Sequence, residues 1–204
     1  MADRSHHDPL AGIPVTQLPP DGHYGAQVEP GLRATRLVPA ALASLAARRG
    51  HEAELVEAAA RTFGVRPIDA PRATSAGGLS FIGTAPGRWM VLSDAASDLA
   101  SRLAAALGSL AAITEQTDSA LVYELSGAKV REVLAKGLAL DLHPSAFATG
   151  SAATTVFSHI GVTLWQSADA PRYRLLVARS YEAAFLRALI SAAAPCGFQL
   201  DGRG

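Results

Sequence analysis

Five residues of the second half could together do chemistry: Asp118, Ser119, Asp141, His143 and His159. A serine, a histidine and a carboxylate in one pocket would suit nucleophilic catalysis. The hydroxyl attacks, the imidazole takes its proton and the carboxylate orients the ring. The spacing does not support that assembly. No G-x-S-x-G turn lifts Ser119 out of a strand end, and a capping serine or a turn aspartate accounts for each residue at less cost. His143 and His159 stand too far from other ligand types to count as metal ligands and are expected to be structural. Two cations, Arg131 and Lys136, are placed for anion contact or for the negative end of a helix; for Lys136 the helix end is the expected use. His6 and His7 are adjacent and so point different ways, as a solvated pair would. Cys196, beside Pro195, is expected to be inert.

Glycines at 77, 78, 83 and 87 invite comparison with a phosphate-binding loop. Such a loop follows a strand and opens directly into a helix, whereas these glycines precede strands, so a nucleotide site is not expected. Charge points the same way. Lysine plus arginine equals aspartate plus glutamate at 18 each, so no net field draws in nucleic acid or an anionic membrane. A single cysteine excludes an internal disulfide and any multi-cysteine metal site. The first residues, MADRSHHDPL, contain no apolar core of a signal sequence, and no run of about 18 apolar residues could span a bilayer. Cytoplasm is the expected compartment. The mean hydropathy of +0.18 fits either an alanine-rich core or an apolar surface covered by a partner.

The elements that must position these residues follow from periodicity. Residues 1–31 hold five prolines and four glycines, which suit neither a long helix nor a central strand. They are expected to form an extended or disordered N-terminal arm. The remaining residues, 32–204, read as one α+β domain of two similar halves, about 32–115 and 116–204. In the first half, Leu32–Val38 reads as a strand, Ala40–Arg49 and Glu52–Phe63 as helices, and Gly64 as a C-cap, with Glu57 and Arg61 paired on a solvated face. Residues 65–78 read as loop. Leu79–Gly83 and Arg88–Ser93 form a hairpin. Ser93 or Asp94 caps a helix carrying Leu99, Leu103 and Leu107, and Leu110–Thr114 closes the half.

In the second half, Ala120 to Leu125 alternates as a strand, and Ser126 caps a helix with Val130, Val133 and Leu134. Gly137 stands where a C-cap glycine belongs. Asp141 to Pro144 is turn chemistry. The β-branched run from Thr154 to Trp165 reads as two strands or one bent one. Arg172–Ala178 is a strand, Ser180 caps a helix burying Phe185, Leu186, Leu189 and Ile190, and Gly197–Leu200 adds an edge strand. RWMVLSDAASDLASRL at 88 and RYRLLVARSYEAAFLR at 172 share their order of strand, cap and amphipathic helix. The halves therefore read as a duplicated ferredoxin-like βαββαβ unit, with antiparallel sheets and helices on one face.

One ordered set of residues is more specific. Asp118, Ser119, Leu125, Gly127, Arg131, Lys136, Gly137, Asp141, Leu142, Pro144, Phe147, Gly150, Thr155, His159, Ile160 and Trp165 occur in an order that resembles the gamma subunit family of heterotetrameric sarcosine oxidase. That family is related to the folate-binding aminomethyltransferases, whose N-terminal region would share the fold. The resemblance implies a non-catalytic subunit bound to alpha, beta and delta subunits. It also implies that the complex oxidatively demethylates sarcosine to glycine, passes the one-carbon unit to tetrahydrofolate and forms hydrogen peroxide. FAD, FMN, NAD and tetrahydrofolate would lie on the partners and no cofactor on this chain. Aminomethyltransferases carry an acidic pair after the strand that here reads His159-Ile160-Gly161-Val162-Thr163-Leu164-Trp165-Gln166, and this chain has no carboxylate there. They also carry an asparagine where this chain has Arg179-Ser180. Two alternatives stand beside this reading: a stand-alone folate-binding aminomethyltransferase-like protein, and an accessory subunit of another flavin-dependent N-methyl amine dehydrogenase.

No catalytic, cofactor or metal residue is therefore expected, and the candidates are partner-facing: Arg131, His159, Thr163, Trp165 and Arg179. Alternation along the strand from His159 sets Ile160, Val162 and Leu164 on one face and His159, Thr163 and Trp165 on the other. The second face combines a polar residue with a large aromatic and suits either a subunit interface or packing under the other half.

Overall fold

The computed structural model describes residues 8–39, 41–95 and 98–202. In chain order they form β1 (Gly22–Tyr24), β2 (Leu32–Leu37), β3 (Ala41–Ala47), α1 (Glu52–Phe63), β4 (Ala73–Ala76), β5 (Leu79–Ala85), β6 (Arg88–Ser93), α2 (Leu99–Leu107) and β7 (Ala111–Glu115). There follow β8 (Ala120–Ser126), α3 (Val130–Ala135), β9 (Ala152–Phe157), β10 (Ile160–Ala168), β11 (Arg172–Ala178), α4 (Glu182–Ala193) and β12 (Phe198–Asp201). His6 and His7 lie outside the described residues.

Two sheets result, ordered β4-β5-β6-β3-β7 and β1-β12-β2-β8-β11-β10-β9. All pairs are antiparallel except β2 with β12. Within the first sheet, β3, β5, β6 and β7 stand in the ferredoxin-like order, and β4 is added beyond β5. The second sheet repeats this with β8, β10, β11 and β12, and β9 takes the place beyond β10. It departs in one respect: β2 is inserted between β8 and β12. The duplication expected from residues 88 and 172 is thus present, since β6-α2 and β11-α4 occupy equivalent places.

The packing is layered, with helices on the outer face of each sheet. Leu55 and Ala59 of α1 and Leu99, Leu103 and Leu107 of α2 bury against Ala43, Leu45, Phe81 and Val91 of the first sheet. Val130, Val133 and Leu134 of α3 and Phe185, Leu189 and Ile190 of α4 bury against Leu125, Leu164 and Leu175 of the second. The inner faces of the two sheets meet through Leu42, Ile82 and Leu92 on one side and Val122, Ala152 and Trp165 on the other.

Several expectations give way here. The segment 40–49 is not a helix, because Ala41–Ala47 is the strand between β6 and β7. Alanine favours helix, but Ala41, Ala43 and Leu45 are buried on the helix side and Leu42 on the inter-sheet side. Burial on both faces decides the conformation. Within the segment 65–78, Ala73–Ala76 pairs with β5 rather than remaining loop. Phe198–Asp201 lies between β1 and β2 and is no edge. Leu32–Leu37 belongs to the second sheet, although its sequence position precedes the first. Helix α2 opens only at Leu99, after Asp98, with no side-chain cap bond. Likewise Ser126 ends β8, and α3 opens after Lys129 without a side-chain cap. The carboxylate of Glu57 pairs with Arg66 at 2.6 Å rather than with Arg61. Gly64 is left-handed at the end of α1, as expected, with φ 68°.

The N-terminal arm runs over the same chain. Tyr24 is buried and rests on Phe198, and Leu10 and Ile13 pack on the α3–α4 core. The Arg187 guanidinium donates to the carbonyls of Ile13, Pro14 and Gln17.

Candidate functional site

Two polar arrangements stand out among the described residues. The first is buried beneath the arm. Tyr123 on β8 faces Arg36 on β2 across the sheet, and Glu182 reaches both from the first turn of α4. The Tyr123 hydroxyl donates to Glu182 Oε1 at 2.6 Å, and Arg36 Nε lies 3.4 Å from the same oxygen. Burial, followed by the bond to Glu182, raises the Tyr123 phenol well above its ordinary value. The proton therefore stays on Tyr123 at neutral pH, and the group acts as a fixed donor rather than as an acid or base.

The second arrangement is a cleft of about 440 Å³ at one end of the inter-sheet layer. Its walls are the β4–β5 turn at Gly77-Gly78 and the backbone at Thr149-Gly150, and Trp165, Gln166 and Arg174 line it. Gln166 is 3% exposed. Its Nε2 donates to Ala168 O at 3.0 Å, and its Oε1 has no partner among the described residues. Arg174 Nε donates to Glu124 Oε2 at 3.2 Å, and Arg172 pairs with the other oxygen of that carboxylate. Two guanidiniums thus share one carboxylate, which leaves positive charge beside the cleft.

The residues that a triad would need are scattered. Ser119 Oγ donates to Gln116 O, His143 Nδ1 bonds Ser145 Oγ at 2.7 Å, and Asp141 accepts from the His143 backbone N–H. His159 is exposed in the two-residue turn between β9 and β10, where it and Ser158 both have positive φ. No group of three histidine, cysteine, aspartate or glutamate residues among the described residues could hold a metal.

The five candidate partner-facing residues are not brought together. Arg131 Nε donates to the Tyr173 hydroxyl at 3.0 Å. Arg179 Nε donates to Asp118 O at 2.8 Å and is about half exposed. Thr163 is buried, with its hydroxyl 3.3 Å from Thr154. Trp165, at 3% exposed, lies in the core between the sheets. Of the two uses open to its face, packing against the other half agrees with this burial. The alternation that put it there is as expected, since Ile160, Val162 and Leu164 enter the helix-side core. Lys136 does neutralise a helix end, but that of α4, through Ala192 O at 2.7 Å.

Comparison with known proteins decides the family. A model described as the sarcosine oxidase, gamma subunit family matches residues 49–195. The chain belongs to that family. Sarcosine oxidase subunit gamma of Corynebacterium sp. (strain P-1) is 33% identical over 104 residues, which is 50% of this chain and 51% of that protein. The subunit of the same name from Arthrobacter sp. matches to the same extent. The match thus spans about half the length of these curated relatives. Among solved structures, heterotetrameric sarcosine oxidase from Corynebacterium sp. U-96, in complex with pyrrole 2-carboxylate, has a similar chain at a TM-score of 0.72. That likeness has 23% identity and covers 83% of this chain and 87% of that one. The glycine cleavage system aminomethyltransferase T of Bartonella henselae shares the fold at a TM-score of 0.57 and 13% identity, over 86% of this chain and 48% of that one.

The β4–β5 turn lacks the surroundings of a phosphate-binding loop. Gly77 and Gly78 join two antiparallel strands, so no helix N-terminus stands behind them to receive a phosphate. Sequence reasoning missed Arg36, Tyr123, Gln166 and Glu182. Tyr123 and Glu182 are 59 residues apart, and no spacing rule connects them. Gln166 carried a faint signal, as a polar residue closing an apolar strand.

Proposed function

We propose that this chain is the non-catalytic gamma subunit of a heterotetrameric sarcosine oxidase in the cytoplasm, assembled with alpha, beta and delta subunits. The observation that carries this reading is the family match over residues 49–195. The residue geometry supports the non-catalytic part, because Ser119, His143 and Asp141 each hold local bonds that leave no nucleophile beside a base. The complex demethylates sarcosine oxidatively to glycine, with transfer of the one-carbon unit to tetrahydrofolate and formation of hydrogen peroxide. FAD, FMN, NAD and tetrahydrofolate are held by the partners.

Co-expression with the three other subunits tests this. A tagged copy of this chain should pull down a yellow, sarcosine-oxidising assembly, while the chain alone should be colourless and produce no peroxide. Flavin absorbance or turnover in the isolated chain, or failure of the four chains to co-purify, would count against the proposal.

A further inference from the structure

The cleft at the end of the inter-sheet layer gathers hydrogen-bond donors that the fold leaves unused. Trp165 and Arg174 are cross-strand partners on β10 and β11, so their side chains stand next to each other on the inter-sheet face. Trp165 is buried, yet its indole N–H has no hydrogen-bond partner among the described residues and is not sealed from the cleft that it lines. A buried tryptophan ordinarily finds a partner for that donor, as Trp89 does by donating to Ile68 O at 3.0 Å. Arg174 spends its Nε on Glu124, and its two Nη nitrogens likewise have no partner among the described residues and are not sealed. Arg172 and Arg174 share the carboxylate of Glu124, so two positive charges meet one negative charge and this wall stays positive.

The opposite wall belongs to the first sheet. There Ser75 on β4 and Ser80 on β5 are cross-strand partners with hydroxyls 2.7 Å apart. Each hydroxyl has a proton and their mutual bond uses only one, so the other is left for a ligand. Asp94 stands beside the β4–β5 turn, with its N–H bonded to Gly78 O at 2.9 Å, and its carboxylate has no partner among the described residues. A guanidinium fork alone is matched by a flat carboxylate, whose two oxygens lie in one plane. Donors on two facing walls call for a third oxygen out of that plane, which a tetrahedral oxyanion provides. At about 440 Å³ the cleft has the size of a small-molecule site, so it also has room for a group esterified to the anion, whose hydroxyl can donate to Asp94.

We propose that this cleft binds a phosphate group, as free phosphate or as a small hydroxylated phosphate monoester, with its oxygens on Arg174, the Trp165 N–H and the Ser75–Ser80 pair. The site lies wholly within this chain, between its two sheets. The inference rests on those unused donors and not on the proposed membership of an oxidase complex, so either can fail alone.

Isothermal titration of the full chain with inorganic phosphate, glycerol phosphate, acetate and glycerol tests it. At least one of the two phosphates should bind with a millimolar or tighter constant, acetate should bind about tenfold more weakly or worse, and glycerol should not bind. Tighter binding of glycerol phosphate than of phosphate identifies the monoester as the ligand, and otherwise the ligand is the free anion. Arg174→Gln, which removes the charge and keeps most of the length, should weaken phosphate binding by about tenfold, as expected for losing a charged hydrogen-bond donor. Ser75→Ala, at an exposed strand position, should weaken it by about fivefold and serves where Arg174→Gln does not fold. No binding by either phosphate, acetate binding as tightly as they do, or a folded chain with either substitution that binds unchanged would each overturn the proposal.

Discussion

Trp165 and Tyr123 show how burial assigns a role to a residue whose type leaves the role open. Trp165 fills the layer between the sheets, against Leu42, Ile82 and Leu92. Trp165→Ala should therefore cost roughly 3–5 kcal/mol of stability in the isolated chain, as large-to-small changes in cores do. Chemical denaturation of the purified variant measures this, and an unchanged midpoint would mean that the sheets do not pack here. Tyr123 gives a dependence on pH. Its phenol is raised in the folded chain by burial and by its bond to Glu182, whereas an unfolded tyrosine titrates near about pH 10. The contribution to stability is thus fully present below about pH 10 and is lost as pH rises above it, because only the unfolded chain releases the proton easily. Tyr24, raised chiefly by its burial, acts in the same direction. Thermal melts of the wild type should fall between neutral pH and pH about 11, and Tyr123→Phe should fall less steeply. Parallel slopes for the two proteins would remove Tyr123 as the cause.

Elements were legible where one face is polar and the pattern is strong. Helices α2 and α4 announce themselves by leucines or mixed apolar residues at helical spacing, and β6 and β11 are the apolar strands just before them, so the duplication could be read from the stretches at residues 88 and 172 alone. Strand β3 was not legible. Its alanines favour helix locally, and only the covering of both faces makes it a strand. Strand β4 is short and polar, and β12 gains its central place from β1 and β2, which lie more than 150 residues earlier in the chain. The candidate cleft was less legible still, because Gln166 is enclosed partly by Thr149 and Gly150, in a loop with no periodic signal. Gly137 illustrates a right residue with a wrong reason. Helix α3 ends at Ala135 with Lys136 right-handed, and Gly137 is not in the left-handed region that a C-cap glycine would adopt. A Cβ there would lie 2.5 Å from the Phe157 ring, so the glycine makes room for β9 to pass the end of α3. Phe157 is fully buried and cannot move aside freely. Gly137→Ala should destabilise by about 1–3 kcal/mol, the usual cost of overpacking. Phe157→Leu in the same chain should recover part of that loss; a neutral Gly137→Ala melt would show that the contact is slack.

At the scale of the whole molecule, the first and last described strands lie in the same sheet. Strand β1 pairs with β12, β12 with β2, and β2 with β8, so the first and last described strands build one edge of the seven-stranded sheet. Without β2 and β12, β8 would become the edge of the remaining sheet, and the α3–α4 core would lose the cover that Leu32, Ala34 and Phe198 give it. The arm before β2 extends this closure. Its backbone carbonyls at Ile13, Pro14 and Gln17 meet Arg187 on α4, and Tyr24 shields Phe198. A proline- and glycine-rich segment has no periodicity to hold itself in place, so its order must come from whatever it lies upon. Here the surface it lies upon is the same chain. Amide exchange on the isolated chain should accordingly protect His23 and Tyr24, which pair with Gln199 and Phe198, above the level of exposed loops such as the 143–146 turn. Arg187→Ala should lower that protection while leaving the amides of β10 and β11 as slow as before, since those strands lie at the far side of the sheet. If His23 and Tyr24 exchange at the rate of an unfolded chain until the other subunits are added, then the arm is ordered by its partners and the closure belongs to the assembly.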